Sequence, residues 1–329
     1  MDMENNPHDV FFRTFFSDLT SMQGLLELIL PPEISRALDF TSLVVEQDSY
    51  LDKEGKGHFV DLAASVKLVG AASGTGSATQ NRLRIYILYE HKSWRDERAL
   101  LQLLRYKQQI WQSYAVASEK LCAKSDVKPA ALPLSPILPI LFYHGVKGRM
   151  PERFSELFPP GVPPALLPRQ VEFHAVMYNL STTPKDQITA ARDATLQAAL
   201  LSLKYAREDF DLLLDELCRL ARTGGKLFLH SPRYGLIKLY ILKAVPLTND
   251  EVRQKIKLKV TDPVMQEDIM LSAAAMFKQE GLEEGRQEGL EKGRQETVER
   301  MLAKNLDRQL IAEITQLPLK EIERLAERQ

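Results

Sequence analysis

The chain has 329 residues, of which 44% are hydrophobic and 26% charged, an ordinary globular balance with enough apolar material for a sizeable core. Its 43 Lys and Arg against 44 Asp and Glu leave a net charge of −1, which excludes a uniformly basic nucleic-acid coat but not a local basic patch. Cys122 and Cys218 have neither metal-ligand nor CxxC spacing and cannot build a disulfide framework, so both are expected as buried free thiols. The stretch Ala131 to Tyr143 is interrupted by Pro133, Pro136 and Pro139 and falls short of the roughly 18 apolar residues of a membrane span. With Asp2 and Glu4 in place of a basic-then-apolar leader, a cytoplasmic protein is expected.

Apolar residues at helical spacing from Phe11 to Leu30 predict a helical start, stopped by Pro31-Pro32. Leu43 to Leu51 and His58 to Leu68 read as strands with a turn at Lys53 to Gly57 between them, and the small residues from Gly70 to Gln80 suit a loose hairpin loop. Arg82 to Lys92 alternates, with Leu83, Ile85, Ile87 and Tyr89 on one face and further apolar residues on the other, the pattern of a central strand. Arg95 to Ser118 predicts a helix burying Leu100, Leu103, Leu104, Ile110 and Trp111. Ile137 to Tyr143 and Val171 to Leu180 read as strands joined by a proline-rich loop. A long helix then runs from Gln187 to Arg222 and ends at Gly224-Gly225. The order predicts an α/β domain over residues 1–270, a mixed sheet flanked by helices.

The C-terminal region changes character. EGLEEGRQ (280–287) is followed by EGLEKGRQ (288–295), so Gly281, Gly285, Gly289 and Gly293 fall four apart on one slowly drifting helical stripe. Four glycines inside a helix cost roughly 4 kcal/mol relative to alanine. Residues 271–296 are therefore either a polar linker or a helix that packs its glycine face closely against a second copy, making a homodimer. Beyond it, Asp307 and Pro318 are placed to start two short helices, and residues 297–329 predict a small helical cap. The segment IAEITQLPLKEIERL within it resembles a helix-turn-helix sequence without the remainder of a DNA-binding domain.

Three residues suggest chemistry. Asp61 sits near the start of one predicted strand, and Glu90 and Lys92, two apart at the end of the next, share a face. If the two strands pair, two carboxylates converge, a donor set suited to Mg²⁺, with a lysine beside it to orient water or to stabilise charge on a phosphate. An Asp and a Glu-x-Lys pair also arise by chance at solvent-facing strand ends, so spacing alone leaves both readings open. On the following helix Gln102 and Tyr106 lie one turn apart, with Arg105 adjacent. From Arg82 to Gln109 there are seven basic residues, including Arg95, Arg98 and Arg105, against three acidic ones, a local excess of +4. Such a rim serves a polyanionic substrate or is simply a solvated face. His58, His174 and His230 have no ligand spacing, so no zinc site is expected.

Several segments resemble the Rpn family of bacterial recombination-promoting nucleases, also described as transposases. They are His8-Asp9-x-x-Phe12, Leu30-Pro31, Leu38-Asp39-Phe40, Asp61 ahead of its strand, ILYEHKS (87–93), LLQLLRYKQQIW (100–111), LPILFYHG (138–145) and the glycine repeat, in that order. The resemblance spans nearly the whole chain. It implies a PD-(D/E)xK nuclease-like core and Mg²⁺-dependent DNA endonuclease activity tied to recombination or mobile elements. Asp61 and Glu90 would be the metal carboxylates, Lys92 the catalytic lysine and Gln102 a supporting residue on the helix. Arg95, Arg98, Arg105 and Tyr106 would contact DNA. Val60 stands where the family pattern has proline. His8 and Asp9, which open the family's N-terminal motif, either reach the site or cap the first helix, the cap being the favoured reading, while His91 and His144 are expected in packing. The competing reading is a DNA-binding or oligomerisation protein that retains the fold without cleaving.

Overall fold

A computed structural model of the chain describes residues 7–46, 61–69, 82–90, 98–125, 134–144, 150–191, 193–304 and 306–326. Two compact units divide between Met265 and Gln266.

The N-terminal helical run is two helices, α1 (Pro7–Phe16) and α2 (Leu19–Ile29). The break falls where Asp18 caps α2, its carboxylate accepting from the Ser21 N–H at 2.9 Å, a donor at a helix start that needs such an acceptor. Asp9 is not a cap: it lies within the first turn of α1, where a carboxylate complements the positive end of the helix dipole. Pro32 then begins a single turn, α3 (Pro32–Ser35).

Five strands follow in the order in which they occur: β1 (Leu38–Glu46), β2 (Asp61–Leu68), β3 (Arg82–Glu90), β4 (Ile137–Tyr143) and β5 (Val176–Asn179). The first three pair antiparallel, while β4 lies parallel to both β3 and β5. Parallel neighbours need a crossover, and the helix predicted there supplies it as α4 (Ala99–Ser125). β1 starts at Leu38, ahead of the expected Leu43, because the chain kinks within the strand instead of before it. There Asp39 Oδ1 accepts from Thr41 N, Ser42 Oγ accepts from Lys67 N, and the register shifts between Asp39 and Val44. β5 is shorter than Val171 to Leu180 because the backbone there is spent elsewhere. Phe173 O accepts from Phe154 N, and Ala175 N donates to Glu152 O. The expected turn at 53–57, the loop at 70–80 and residues 91–92 lie outside the described residues.

β4 is the centre of this unit. Ile137, Leu141 and Tyr143 pack with Ala99, Leu100, Leu103 and Ile110 of α4, while the intervening Phe142 meets Phe12 of α1, ring centroids 4.9 Å apart. Helices thus cover both faces, which is why the β4 sequence is apolar throughout and β3 carries its charges, Arg82, Arg84 and Glu90, towards its two ends.

The single long helix expected from Gln187 to Arg222 is three: α5 (Lys185–Thr189), α6 (Ala194–Tyr205) and α7 (Phe210–Leu229). Asp193 caps α6 by accepting from Thr195 N, and Asp209 accepts from Leu212 N at the start of α7. Gly224-Gly225 does not end a helix but lies inside α7, which continues because Phe228 is buried against Tyr234 at 4.7 Å between ring centroids. Tyr234 belongs to α8 (Pro232–Ala244), and α9 (Asn249–Lys259) follows behind a Thr248–Glu251 capping box. α6 is buried all round; its Lys204, 7% exposed, donates from Nζ to the carbonyl oxygens of Leu180, Ser181 and Thr183 and so holds the turn after β5.

The second unit contains most of α10 (Pro263–Ala303), with α11 (Arg308–Thr315) and α12 (Leu319–Ala326). The glycine repeat lies inside α10 as helix. Asp307 caps α11 through Gln309 N and Leu310 N, and Gln316, with φ of 56°, turns the chain into α12. Val298, Ile311 and Ile322 form a small core there. Cys218, in the first unit, is buried and free.

Candidate active site

Two of the predicted site positions, 61 and 90, fall at one end of the sheet. Asp61 opens β2 opposite Leu88 of β3, and Glu90 ends β3 opposite Tyr143 of β4. Positions 61 and 90 are therefore diagonal neighbours on paired strands, about 7–8 Å apart between Cα atoms, a separation that carboxylates bridge with one cation. Pleat parity assigns position 61 to the face of Ala63, and position 90 to the face of its partner Tyr143. Ala63 and Tyr143 both pack in the cluster that α4 covers. The side chains of Asp61 and Glu90, and the whole of Lys92 and Arg95, lie outside the described residues.

Gln102 sits in the first turns of α4, between Ala99, Leu100 and Leu103, which pack in the same cluster as Tyr143. Its Oε1 is buried and receives no hydrogen bond. Leaving an amide oxygen so costs on the order of 1–3 kcal/mol, an expense that a bound cation or its water shell would remove. Arg98, just ahead of α4, and Gln102, Arg105 and Gln109 within it follow one edge at spacings of four, three and four, with both arginines exposed. Tyr106 is half-buried and packs against the cluster instead of standing free on that edge. Among the described residues, no group of three or more His, Cys, Asp or Glu gathers as a metal site.

Two features escape sequence reading. Lys107, half-buried, places Nζ 4.7 Å from the Phe173 ring centre and 5.4 Å from that of Trp111. Burial pulls its pKa down, while the ring faces offer partial compensation. The second is a buried histidine pair. His144 directly follows β4 and so stands next to the residue aligned with Glu90. His8 of α1 lies against it, ring centroids 6.0 Å apart, with Nδ1 2.7 Å from Tyr240 Oη of α8. His8 and Tyr240 are 232 positions apart, beyond any local sequence signal.

No helix among the described residues is long and apolar enough to cross a membrane. No solved structure matches the chain. Recombination-promoting nuclease RpnC of Escherichia coli (strain K12) is 28% identical over 66% of this chain, which spans 65% of that relative's length. Recombination-promoting nuclease RpnD of Escherichia coli O157:H7 is 26% identical over 67% of this chain and 75% of its own. A relative named as inactive recombination-promoting nuclease-like protein RpnE, of Escherichia coli (strain K12), is 26% identical over 85% of this chain and 84% of its own. The family described as "Putative transposase, YhgA-like" matches residues 6–227, from α1 to the last turn of α7, and the chain belongs to it.

Proposed function

We propose that this protein is a Mg²⁺-dependent DNA endonuclease on a PD-(D/E)xK nuclease-like core, acting in the cytoplasm in recombination or mobile-element biology. The observation that carries the reading is the register: Asp61 and Glu90 fall on neighbouring strand ends, beneath the helix that holds the unpartnered Gln102 oxygen. The element order, a helix, three antiparallel strands, a crossover helix and a parallel strand, agrees with that core. The names of the relatives RpnC and RpnD support a nuclease.

In this reading Asp61 and Glu90 hold the metal, since Mg²⁺ takes one or two carboxylates and keeps several waters. Gln102 Oε1 would accept from a water of the bound cation. When bound, Mg²⁺ lowers the pKa of water and offsets charge at the phosphodiester. Lys92 orients the attacking water or stabilises the charge that develops on the phosphate. Arg98 and Arg105, exposed on one edge, would contact the DNA backbone together with Arg95, whereas Tyr106 is taken up by packing. Dimerisation through 279–295 of α10 would bring two such sites to the two strands of a duplex. Light scattering of a chain lacking 281–295 tests it: a smaller species than the parent supports the dimer, and a monomeric parent ends it.

The non-cleaving alternative is favoured by one observation, the name of RpnE. Supercoiled plasmid incubated with the purified protein separates the two readings. Nicking in Mg²⁺ that stops in excess EDTA supports the nuclease; a gel shift without nicking in Mg²⁺ or Mn²⁺ supports the binder.

A further inference from the structure

The histidine pair occupies a place that the proposed chemistry does not use. Tyr240 is fully buried, stacked on Phe11 with 4.3 Å between ring centroids. Burial drives its pKa far above the ordinary value, so it remains an O–H. Its oxygen holds His8 Nδ1 at 2.7 Å, which fixes the imidazole plane, and His8, 3% exposed, meets the His144 ring edge-on. His144 is 7% exposed and follows Tyr143, the register partner of Glu90. The contact therefore runs from α8 through α1 to the end of β4 that sets where Glu90 stands.

We propose that His8, locked by Tyr240, is a positioning residue for the metal edge of the sheet: it clamps the C-terminal end of β4 through His144 and so fixes the spacing of the Asp61 and Glu90 positions. The inference rests on the metal-site reading above. Burying two imidazoles and a phenol at a strand end forfeits the apolar packing that Leu or Phe would give. A rigid support compensates, because metal sites tolerate only about 0.5 Å of misplacement. Such supports typically govern 10–100-fold in metal affinity.

The test is Mn²⁺ binding, read from the loss of the free-ion EPR signal, alongside cleavage kinetics in Mg²⁺. Tyr240→Phe removes one hydroxyl and keeps the ring stack. It is expected to weaken Mn²⁺ binding about tenfold, to raise the Mg²⁺ concentration at half-maximal cleavage correspondingly, and to leave KM for DNA unchanged. His8→Ala gives the same loss, and the double variant no more, since both break one link. Parental Mn²⁺ affinity in folded Tyr240→Phe, or additive losses in the double variant, overturns the inference. A parent that binds Mn²⁺ without cleaving ends the nuclease reading and leaves the positioning role to be decided by the affinities; a parent that does not bind Mn²⁺ ends both.

Discussion

Gln102 combines a poor contribution to the fold with a favourable place for chemistry. Its Oε1 is buried without a donor, so Gln102→Leu, which removes the unmet oxygen and keeps most of the volume, should hold or raise thermal stability by about 1 kcal/mol. The same change should lower cleavage at least tenfold. Calorimetry beside plasmid nicking checks both, and a destabilised variant with full cleavage contradicts the role given to Gln102. Glu216 shows the opposite design. Its side chain is 9% exposed, and burial pushes its pKa up, but hydrogen bonds from Lys185 and Arg219, each at 2.7 Å, outweigh that. The carboxyl therefore ends below its ordinary range. A group with a lowered folded pKa stabilises above its unfolded pKa and loses that contribution as pH falls through the folded value. Glu216→Gln should thus lose on the order of 1–3 kcal/mol at pH 7, with the gap to the parent closing below about pH 4. A gap that is flat from pH 7 to pH 3 in urea denaturation would show that charge is not what Glu216 contributes.

Among the elements, β3 was legible because alternation has one reading, and β4 because a short apolar run bounded by Ser135-Pro136 and Gly145 has few others. The break between α6 and α7 was not legible. Ala206, Arg207 and Glu208 are all acceptable in a helix, and the turn is fixed by the Asp209 cap and the burial of Phe210 and Leu213. Gly224 misled in the other direction, since tertiary packing of Phe228 overrides two residues of poor propensity. For the site, the two strands were legible, but the Asp61 and Glu90 juxtaposition followed only on the condition that they pair, a register that only the sheet supplies. The His8–Tyr240 bond is invisible because it joins elements from opposite ends of the first unit. In α10 a Cβ at Gly281, Gly285, Gly289 or Gly293 would meet nothing within 4 Å. Gly285→Ala and Gly289→Ala should therefore each stabilise the helix by about 0.5–1 kcal/mol, read as a higher melting point of the 222 nm signal. If both lower it, the glycines serve a contact too close for a methyl group.

At the scale of the whole molecule, a net charge of −1 means that, in the proposed nuclease, DNA affinity would have to come from a local field. The exposed Arg98, just ahead of α4, and Arg105 on it would supply that field. Changing Arg95 and Arg98 to Glu should weaken DNA binding strongly at low salt, with the difference shrinking as salt rises; a binding curve unaltered at any salt would move the DNA to another surface. The central claim is that strand pairing makes Asp61 and Glu90 one metal site, and the rate of supercoiled plasmid nicking under Mg²⁺ titration tests it most directly. Asp61→Ala and Glu90→Ala should each remove nicking at every Mg²⁺ concentration while binding DNA as the parent does, and Lys92→Ala should lose most of the rate without moving the Mg²⁺ midpoint. Nicking by all three variants at the parent's rate would contradict the account.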